Sequence, residues 1–380
     1  MSAETAPTVA RWADQIRAAA ADGTALRLVG GDSKAFYGPP LPADLPRLET
    51  REHGGIVAHE PTELVLTARA GTPLAEVEAA LAACGQCLAF EPPHFGPDAT
   101  VGGMVAAGLS GPARASVGAV RDFVLGVQLL NGRGEHLTFG GQVMKNVAGY
   151  DVSRLLAGSL GSLGVITEVS LKVLPVAPAE ATLCFELAQD AALAQLARWR
   201  GHPLPLNASC WVLDDTGGAP RPLLFVRLRG AAAAVEAACT RMLADAPGER
   251  QDTAITAADW RACGEQTLPF FAQPPSPAHG LWRLSVAPTT PVLDLPGPTL
   301  VEWFGGLRWV WAPVDAGAAL RQVAQAAGGH ATLFRAPADA PLAAERFTPP
   351  APALRTIQQR LQREFDPAGV FNPGRWGFGL

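Results

Sequence analysis

Apolar residues recur at the spacing of an amphipathic helix in two early segments of the chain, with strand-like runs between them. The spacing predicts helices over residues 8–21 and 73–84, the second with Thr72 as its N-cap. Residues 26–29 predict a short strand, and residues 57–68 alternate enough to predict a strand region. The first part of the chain is therefore expected to mix helices and strands.

A β-hairpin is the clearest local prediction of the next part of the chain. Residues 123–130 are typical of a buried strand, Asn131 and Gly132 of a tight turn, and residues 135–139 of the returning strand. Residues 165–173 alternate again and predict a further strand.

The second half of the chain differs in composition from the first. Of the nine tryptophans of the whole chain, eight lie at or beyond Trp199. Residues 223–228 predict a strand and residues 231–244 predict a helix. Pro175 and Pro178 end the preceding strand pattern, and we place a domain boundary there.

Two glycine-rich segments carry the main chemical signal. They are VGGDSKAFYG at residues 29–38 and TVGGMVAAGLSG at residues 100–111, in a chain with 40 glycines among 380 residues. The first follows a predicted strand, and the second contains a predicted short helix at residues 104–109. Glycines let successive backbone N–H groups converge on a phosphate, because they lack a Cβ atom and tolerate positive φ. The two segments predict the two halves of one phosphate-binding cradle.

Two common nucleotide-binding motifs are absent from the sequence. No G-x-x-x-x-G-K-[ST] string occurs, and no G-x-G-x-x-G joins a strand to a helix. A dinucleotide is therefore expected to be held in a way that differs from the Rossmann fold.

Composition narrows the classes of partner and location. The net charge of −5 without a basic block argues against a nucleic-acid partner. No apolar run approaches the ~18 residues of a membrane-crossing helix, and the N-terminal segment lacks the layout of a secretory signal. The six cysteines are scattered, which suits a reducing compartment. We expect a cytoplasmic protein without a transmembrane segment.

The sequence contains no clear candidates for metal ligands or for an acid–base pair. The seven histidines form no close ligand pair, and the C-x-x-C of Cys84 and Cys87 has no second half. We therefore expect no metal site. Oxidation of a 2-hydroxy acid needs a group that fixes the carboxylate and a base for the hydroxyl, and the sequence nominates no convincing pair. The catalytic residues stay unassigned.

Seven motifs in a fixed order resemble a single protein family. They are VGGDSKAFYG at 29–38, EPPHFG at 91–96, TVGGMVAAGLSG at 100–111, VGAVRDFVLGVQLLNGRG at 117–134, KNVAGYDVSRLL at 145–156, GSLGSLGVIT at 158–167 and FDPAGVFNPGR at 365–375. The chain resembles the FAD-binding subunits of bacterial glycolate oxidases, within the vanillyl-alcohol-oxidase or PCMH-type flavoprotein superfamily. The resemblance is dense before Pro175, thin in the middle and good at the C-terminal end.

The resemblance implies an α+β fold in which a two-subdomain PCMH-type FAD-binding domain carries an α+β cap domain. We assign residues 1–176 to the FAD-binding domain and residues 177–332 to the cap. Residues 333–380, with a helix predicted at 355–365, would return to the FAD-binding domain.

The resemblance also implies which residues hold FAD. Neither glycine segment contains a histidine or cysteine for covalent attachment, so FAD is expected to be non-covalent. The implied cofactor-binding residues are Gly30, Gly31, Asp32, Ser33, Thr100, Gly102 and Gly103 at the pyrophosphate, Gly108, Ser110, Gly111, Gly118 and Asp122 near the flavin or ribityl chain, Gly164, Val165 and Ile166 at the adenine end, and Asn372 with Arg375 in the terminal motif.

Asp32 departs from the family pattern, because glycine or asparagine is common at its position. A carboxylate beside a pyrophosphate repels it unless a cation compensates. Arg27 and Lys34 are the two candidates for that cation.

The implied function is that of an FAD-binding, electron-transferring subunit of a heteromeric glycolate oxidase. Its expected partners are a catalytic flavoprotein subunit and an iron–sulfur subunit, with a small 2-hydroxy acid as the substrate of the complex. Association with these partners would place it peripherally at the inner membrane. Two alternatives stay open, an autonomous FAD-dependent D-lactate or glycolate dehydrogenase and a non-catalytic scaffold that retains the flavin fold.

Overall fold

The computed structural model describes residues 6–141, 151–338, 340–341 and 345–377, which divide into two compact units. The first unit contains the described residues up to Leu109, Ala119–Pro175, and those from Pro349 onward. The second contains Ser110–Gly118 and the described part of Val176–Thr348. The first six residues of the KNVAGYDVSRLL motif, which include Lys145 and Asn146, lie outside the described residues.

The first unit begins with a helix that packs on a two-stranded parallel sheet. The elements are α1 (Pro7–Asp22), β1 (Arg27–Val29) and β2 (Arg47–Glu49). The apolar face of α1, with Trp12 and Ile16, is buried against Leu48 and the C-terminal Phe371. The amphipathic pattern at residues 8–21 therefore identified this helix correctly.

An antiparallel five-stranded sheet follows in the same unit. Its strands lie in the order β3, β4, β8, β6, β7, and their bounds are β3 (Ile56–Glu60), β4 (Val65–Arg69), β6 (Val124–Leu130), β7 (His136–Gly140) and β8 (Val165–Lys172). The predicted hairpin is confirmed, since β6 and β7 pair Leu130 with His136 across the Asn131-Gly132 turn. The single strand region predicted at residues 57–68 is instead two strands, β3 and β4. A short additional pair joins β5 (Gln86–Cys87) to β9 (Leu174–Pro175).

The helices of the first unit correct two local predictions. They are α2 (Leu74–Ala83), α3 (Val101–Ala107), α5 (Val120–Phe123), α6 (Val152–Leu155) and α12 (Pro352–Phe365). Thr72 is not the N-cap of α2, because its Oγ1 bonds the backbone of Gly55 and Arg69 instead. Helix α3 begins three residues before the predicted start, so Gly102 and Gly103 lie in its first turn.

The second unit is built on an antiparallel eight-stranded sheet in the order β13, β10, β12, β11, β15, β16, β14, β17. Its strands are β10 (Ala179–Glu186), β11 (Leu206–Asp214), β12 (Arg221–Gly230), β13 (Gly248–Arg250), β14 (His279–Ser285), β15 (Thr299–Glu302), β16 (Leu307–Pro313) and β17 (His330–Arg335). Its helices are α4 (Arg114–Val117), α7 (Gln189–Arg200), α8 (Ala232–Asp245), α9 (Thr253–Glu265), α10 (Pro269–Ala272) and α11 (Gly317–Ala326). Both units combine helices with antiparallel sheets, which confirms the α+β class.

The two faces of the large sheet differ. Since side chains alternate along a strand, one face carries Trp211, Val301 and Trp282, which form apolar cores with α7, α8 and α11. The opposite face carries residues such as Cys210 and Trp309. A cationic cluster and a large cavity, both described below, lie on this second face.

Candidate functional site

A cavity of about 310 Å³ in the first unit brings the two glycine-rich segments together. The first segment contributes the six residues from Gly30 to Ala35, and the second contributes Thr100, Gly103, Ala106 and Ala107. Thr100 is buried, and its Oγ1 accepts a hydrogen bond from the Gly103 N–H over 3.3 Å as the N-cap of α3. Residues about seventy positions apart in the sequence therefore form opposite walls of one cavity.

Close contact between the two walls explains why glycine is needed there. A Cβ atom on Gly31 would lie 1.5 Å from the backbone oxygen of Asp98, and one on Gly30 would lie 2.5 Å from Thr100 Oγ1. Real Cβ atoms do not approach other atoms that closely. These glycines therefore let the segments pack against each other, in addition to leaving backbone groups accessible from the cavity.

Asp32 is held by Arg27. The Nη2 atom of Arg27 lies 2.7 Å from Oδ2 of Asp32. Asp32 has a φ of +55°, a conformation in which glycine, asparagine and aspartate are the least strained residues. Arg27, one of the two cations that the sequence offered, thus pairs with the carboxylate. The Nζ of Lys34 donates to the backbone oxygen of His94 over 3.1 Å.

The C-terminal motif completes the cavity. Asn372 accepts a hydrogen bond from the Leu28 N–H over 2.9 Å and donates to the Leu160 oxygen over 2.8 Å. Arg375 donates to the backbone oxygens of Ala35 and Pro39, and burial lowers its pKa to about 10. Arg375 therefore stays charged at neutral pH while it fixes the segment that follows the first glycine pair.

The groups that line this cavity fit a pyrophosphate. Three cationic side chains, Arg27, Lys34 and Arg375, stand against one carboxylate, that of Asp32. Backbone positions without a Cβ atom lie beside them at Gly30, Gly31 and Gly103. Cationic side chains and exposed backbone amides are the groups that proteins use to hold phosphate oxygens.

Other residues implied by the resemblance lie outside this cavity. Gly102 packs on Ala70, where an added Cβ would lie 2.7 Å from the alanine Cβ. Gly108 packs in the same way on Gly158. The exposed Asp122 accepts a hydrogen bond from the Ala119 N–H over 2.8 Å. These positions have local structural reasons for their residue types.

The residues implied at the adenine end belong to the five-stranded sheet. Gly164 has a φ of +147° and approaches the Leu130 oxygen, to which an added Cβ would come within 2.5 Å. Val165 and Ile166 start β8, are buried, and pair with β6. None of the three lines the cavity of the first unit.

Ser110, Gly111 and Gly118 belong to the second unit. The Gly111 oxygen accepts a hydrogen bond from Trp303 Nε1 over 3.1 Å. Gly118 has a φ of +105° and ends α4. The segment is therefore tied to the sheet of the second unit by Trp303.

A cluster of cationic side chains surrounds the ring of Trp303. The guanidinium carbon of Arg114 lies 4.6 Å from the ring centroid, and that of Arg283 lies 5.1 Å from it. Within the part of the chain that the structure describes, Arg283 has no hydrogen-bond or ion-pair partner, and its Nε is buried. Two guanidinium groups at one indole ring create a region of positive potential that suits a small anion.

His330 lies on the same sheet face as Arg283. Strands β14 and β17 pair Arg283 with Thr332 and Ser285 with His330. Desolvation, together with the charges of Arg283 and Arg114, lowers the pKa of His330 below its ordinary value. A neutral imidazole can accept a hydrogen bond from a hydroxyl group. Sequence reasoning missed this cluster, because its residues come from four separate segments without a shared motif.

The described residues provide neither a metal-binding cluster nor a membrane-spanning helix. No three histidine, cysteine, aspartate or glutamate residues among them are grouped so that they could hold a metal ion. None of the helices described is long and apolar enough to cross a membrane.

Comparison with known proteins identifies a matching domain and a full-length relative. The family model described as an FAD binding domain matches residues 5–140. The chain is 45% identical to glycolate oxidase subunit GlcE of Escherichia coli (strain K12) over 362 residues, which is 95% of this chain and 95% of the relative. It is 37% identical to glycolate oxidase subunit GlcD of Bacillus subtilis (strain 168) over 84 residues, 22% of this chain and 18% of the relative.

A solved structure resembles the chain in fold. An alkyldihydroxyacetonephosphate synthase matches with a TM-score of 0.66 and 15% sequence identity, over 95% of this chain and 74% of that one. At this identity the likeness concerns the fold alone.

Proposed function

This chain belongs to the family of glycolate oxidase subunit GlcE and carries an FAD binding domain, and we propose that it is the FAD-binding, electron-transferring subunit of a heteromeric glycolate oxidase. The proposal rests mainly on one observation. In a chain of this family, both glycine segments line a single cavity together with three cationic side chains. The substrate of the complex would be glycolate or another small 2-hydroxy acid.

The residues of the cavity would hold the pyrophosphate of FAD. Backbone N–H groups at Gly30 and Gly31 would donate to phosphate oxygens, Gly103 would let the phosphates approach closely, and Arg27 keeps the Asp32 carboxylate neutralised. Ser33 and Thr100 place hydroxyl groups on the lining. When bound, FAD supplies the capacity to accept and pass on electrons, which side chains alone lack.

The remaining implied contacts are kept as part of this proposal. Asn372 would position the first glycine segment through its bond to Leu28, and Arg375 would hold the residues that follow the segment. Backbone contacts to FAD are proposed for Gly102, Gly108, Ser110, Gly111, Gly118, Gly164, Val165 and Ile166, and a polar contact for Asp122.

The partners proposed are a catalytic flavoprotein subunit and an iron–sulfur subunit. GlcE of Escherichia coli is named as a subunit of glycolate oxidase, and GlcD of Bacillus subtilis is named as another. Electrons would pass between these subunits through the FAD of this chain. Through such partners the chain would lie peripherally at a membrane.

Titration of the FAD-free chain with FAD tests the binding proposal. Quenching of flavin fluorescence should saturate at one FAD per chain, and acid precipitation should release all of the flavin because no covalent bond holds it. A chain that quenches no flavin fluorescence and retains no flavin after gel filtration would refute FAD binding.

A second function, autonomous oxidation of a 2-hydroxy acid, is favoured by the cluster around Trp303. Arg283 and Arg114 would bind the carboxylate, and His330 would accept a hydrogen bond from the hydroxyl group. Turnover of glycolate by the isolated chain with an artificial electron acceptor, lost in Arg283→Met with FAD content unchanged, would favour this function. Absence of turnover would favour the electron-transferring subunit.

A further inference from the structure

A larger cavity of about 580 Å³ lies in the second unit, lined by neither Arg283 nor Trp303. Its floor is the sheet face that carries Val212, Phe225 and Leu300. Its roof is formed by α9 and α10, with Trp260 and Phe270 among the lining residues. A volume of this size accommodates a drug-sized molecule or one or two large side chains.

The interior walls present mainly carbon atoms, and the two indole N–H groups among the lining residues are engaged within the protein. Trp260 Nε1 donates to Thr182 Oγ1 over 2.9 Å, and Trp311 Nε1 donates to the Phe270 oxygen over 2.7 Å. Neither indole N–H is therefore free for a ligand. An occupant of the interior would gain stability by burying apolar surface.

Apolar surface continues from the cavity to the outside. Phe270 on α10 lines the cavity and is half-buried, and Ile255 on α9, next to the lining residue Thr256, is 66% exposed. Large apolar side chains left partly in water beside an apolar cavity are typical of a surface that another protein covers. A small molecule confined to the cavity would leave Ile255 in water.

The charges around the cavity have one sign. Asp214, Asp215 and Asp259 line it, and none of the lining residues is a lysine, arginine or histidine. The carboxylates of Asp215 and Asp259 are exposed and have no hydrogen-bond or ion-pair partner among the described residues. Such a rim repels glycolate and attracts cationic groups.

We propose that this cavity and its rim are a docking site for a partner subunit of the oxidase, which inserts an apolar side chain flanked by lysine or arginine residues. An apolar anchor in a pocket, surrounded by complementary polar groups, is the arrangement that contributes most of the affinity in many protein interfaces. The inference rests on the proposed function, because it requires the chain to be a subunit of a heteromeric complex.

The test is a binding titration of the FAD-loaded chain with the purified catalytic flavoprotein subunit and, separately, with the iron–sulfur subunit. Ile255→Asp should raise the Kd for one of them by about 10-fold or more, since a charge would replace an exposed apolar side chain of the rim. The double variant Asp215→Lys with Asp259→Lys should raise the same Kd, and its binding should depend less on salt than that of the wild type.

Two variants act as matched controls. Val292→Asp changes another exposed aliphatic residue, 44% exposed, that does not line the cavity. Asp190→Lys reverses a charge on α7, which packs on the opposite sheet face. Both should bind the partner within about twofold of the wild type. Equal FAD content and far-UV circular dichroism in all variants would show that they fold alike.

The outcomes separate the docking proposal from the proposed function. If the wild type binds a partner and the cavity variants bind it as tightly, the docking site is wrong while the heteromeric function stands. If the wild type binds neither subunit, the heteromeric function fails and the docking site fails with it. Native mass spectrometry that finds a small molecule bound to the wild type, with partner binding equal in the wild type and Ile255→Asp, would also overturn the proposal.

Discussion

Arg27 donates a hydrogen bond to Asp32 over 2.7 Å, so that the one carboxylate on the wall of the first unit's cavity is paired with a cation. The positive φ of Asp32 places that carboxylate at a position where glycine or asparagine would also be unstrained. Because Arg27 offsets the negative charge of Asp32, an acidic residue is compatible with a site that suits a pyrophosphate.

Removal of the cation from this pair should weaken FAD binding. In Arg27→Met the unpaired Asp32 carboxylate would repel the pyrophosphate. At a separation of a few ångströms and a high effective dielectric constant, this repulsion should raise the Kd for FAD about 10-fold. Fluorescence titration measures it. The double variant Arg27→Met with Asp32→Asn should regain most of the affinity, and a double variant as weak as the single one would contradict the role of the ion pair.

Substitution of Gly31 should damage both stability and FAD binding. The Cβ atom of Gly31→Ala would collide with the Asp98 oxygen, and such overpacking costs about 1–3 kcal/mol in the free energy of unfolding. Urea denaturation measures this change. Gly217→Ala is the matched control, because its Cβ would meet no atom within 4 Å. Equal stabilities of the two variants would show that the walls are not in tight contact.

Loss of Arg375 should loosen the segment after the first glycine pair. Arg375→Met removes the donors to the Ala35 and Pro39 oxygens, and hydrogen bonds from a charged group contribute about 1.5–3 kcal/mol each. The midpoint of thermal unfolding should fall and the Kd for FAD should rise. Arg360→Met, an exposed change on α12, should alter neither. A stable Arg375→Met variant with wild-type FAD affinity would contradict this positioning role.

Acid should destabilise the first unit partly through His53. Desolvation and the charges of Arg69 and His136 lower the pKa of His53 from its ordinary value of 6.5. The unfolded chain therefore takes up a proton more readily, so that the free energy of unfolding falls as the pH drops below about 6.5. Denaturant melts across this range should show a smaller decline for His53→Gln. Parallel curves for the variant and the wild type would rule out this contribution.

Local patterns predicted the parts of the fold that depend on neighbouring residues. The β6–β7 hairpin follows from Asn131 and Gly132 between two apolar runs, and α1 follows from its apolar stripe. The predicted N-cap of α2 was wrong, because Thr72 forms hydrogen bonds with the backbone of Gly55, in a different part of the chain. A sequence-local rule cannot detect such a competing partner.

Long-range packing also limited the prediction of the sites. The glycine segments were visible as motifs, but the contact between Gly31 and Asp98 depends on the tertiary fold. The approach of Arg283 and His330 depends on the pairing of β14 with β17, and neither residue stands in a recognisable motif. Residues Ser110–Gly118 belong to the second unit, and the hydrophobic pattern of the sequence does not indicate this assignment.

The absorption spectrum of the isolated chain, recorded without oxygen before and after addition of glycolate, tests the central claim most directly. We expect a flavin spectrum that glycolate alone leaves unchanged and that bleaches once the catalytic flavoprotein subunit is added. A colourless chain that takes up no FAD would contradict the proposed role as the FAD-binding subunit.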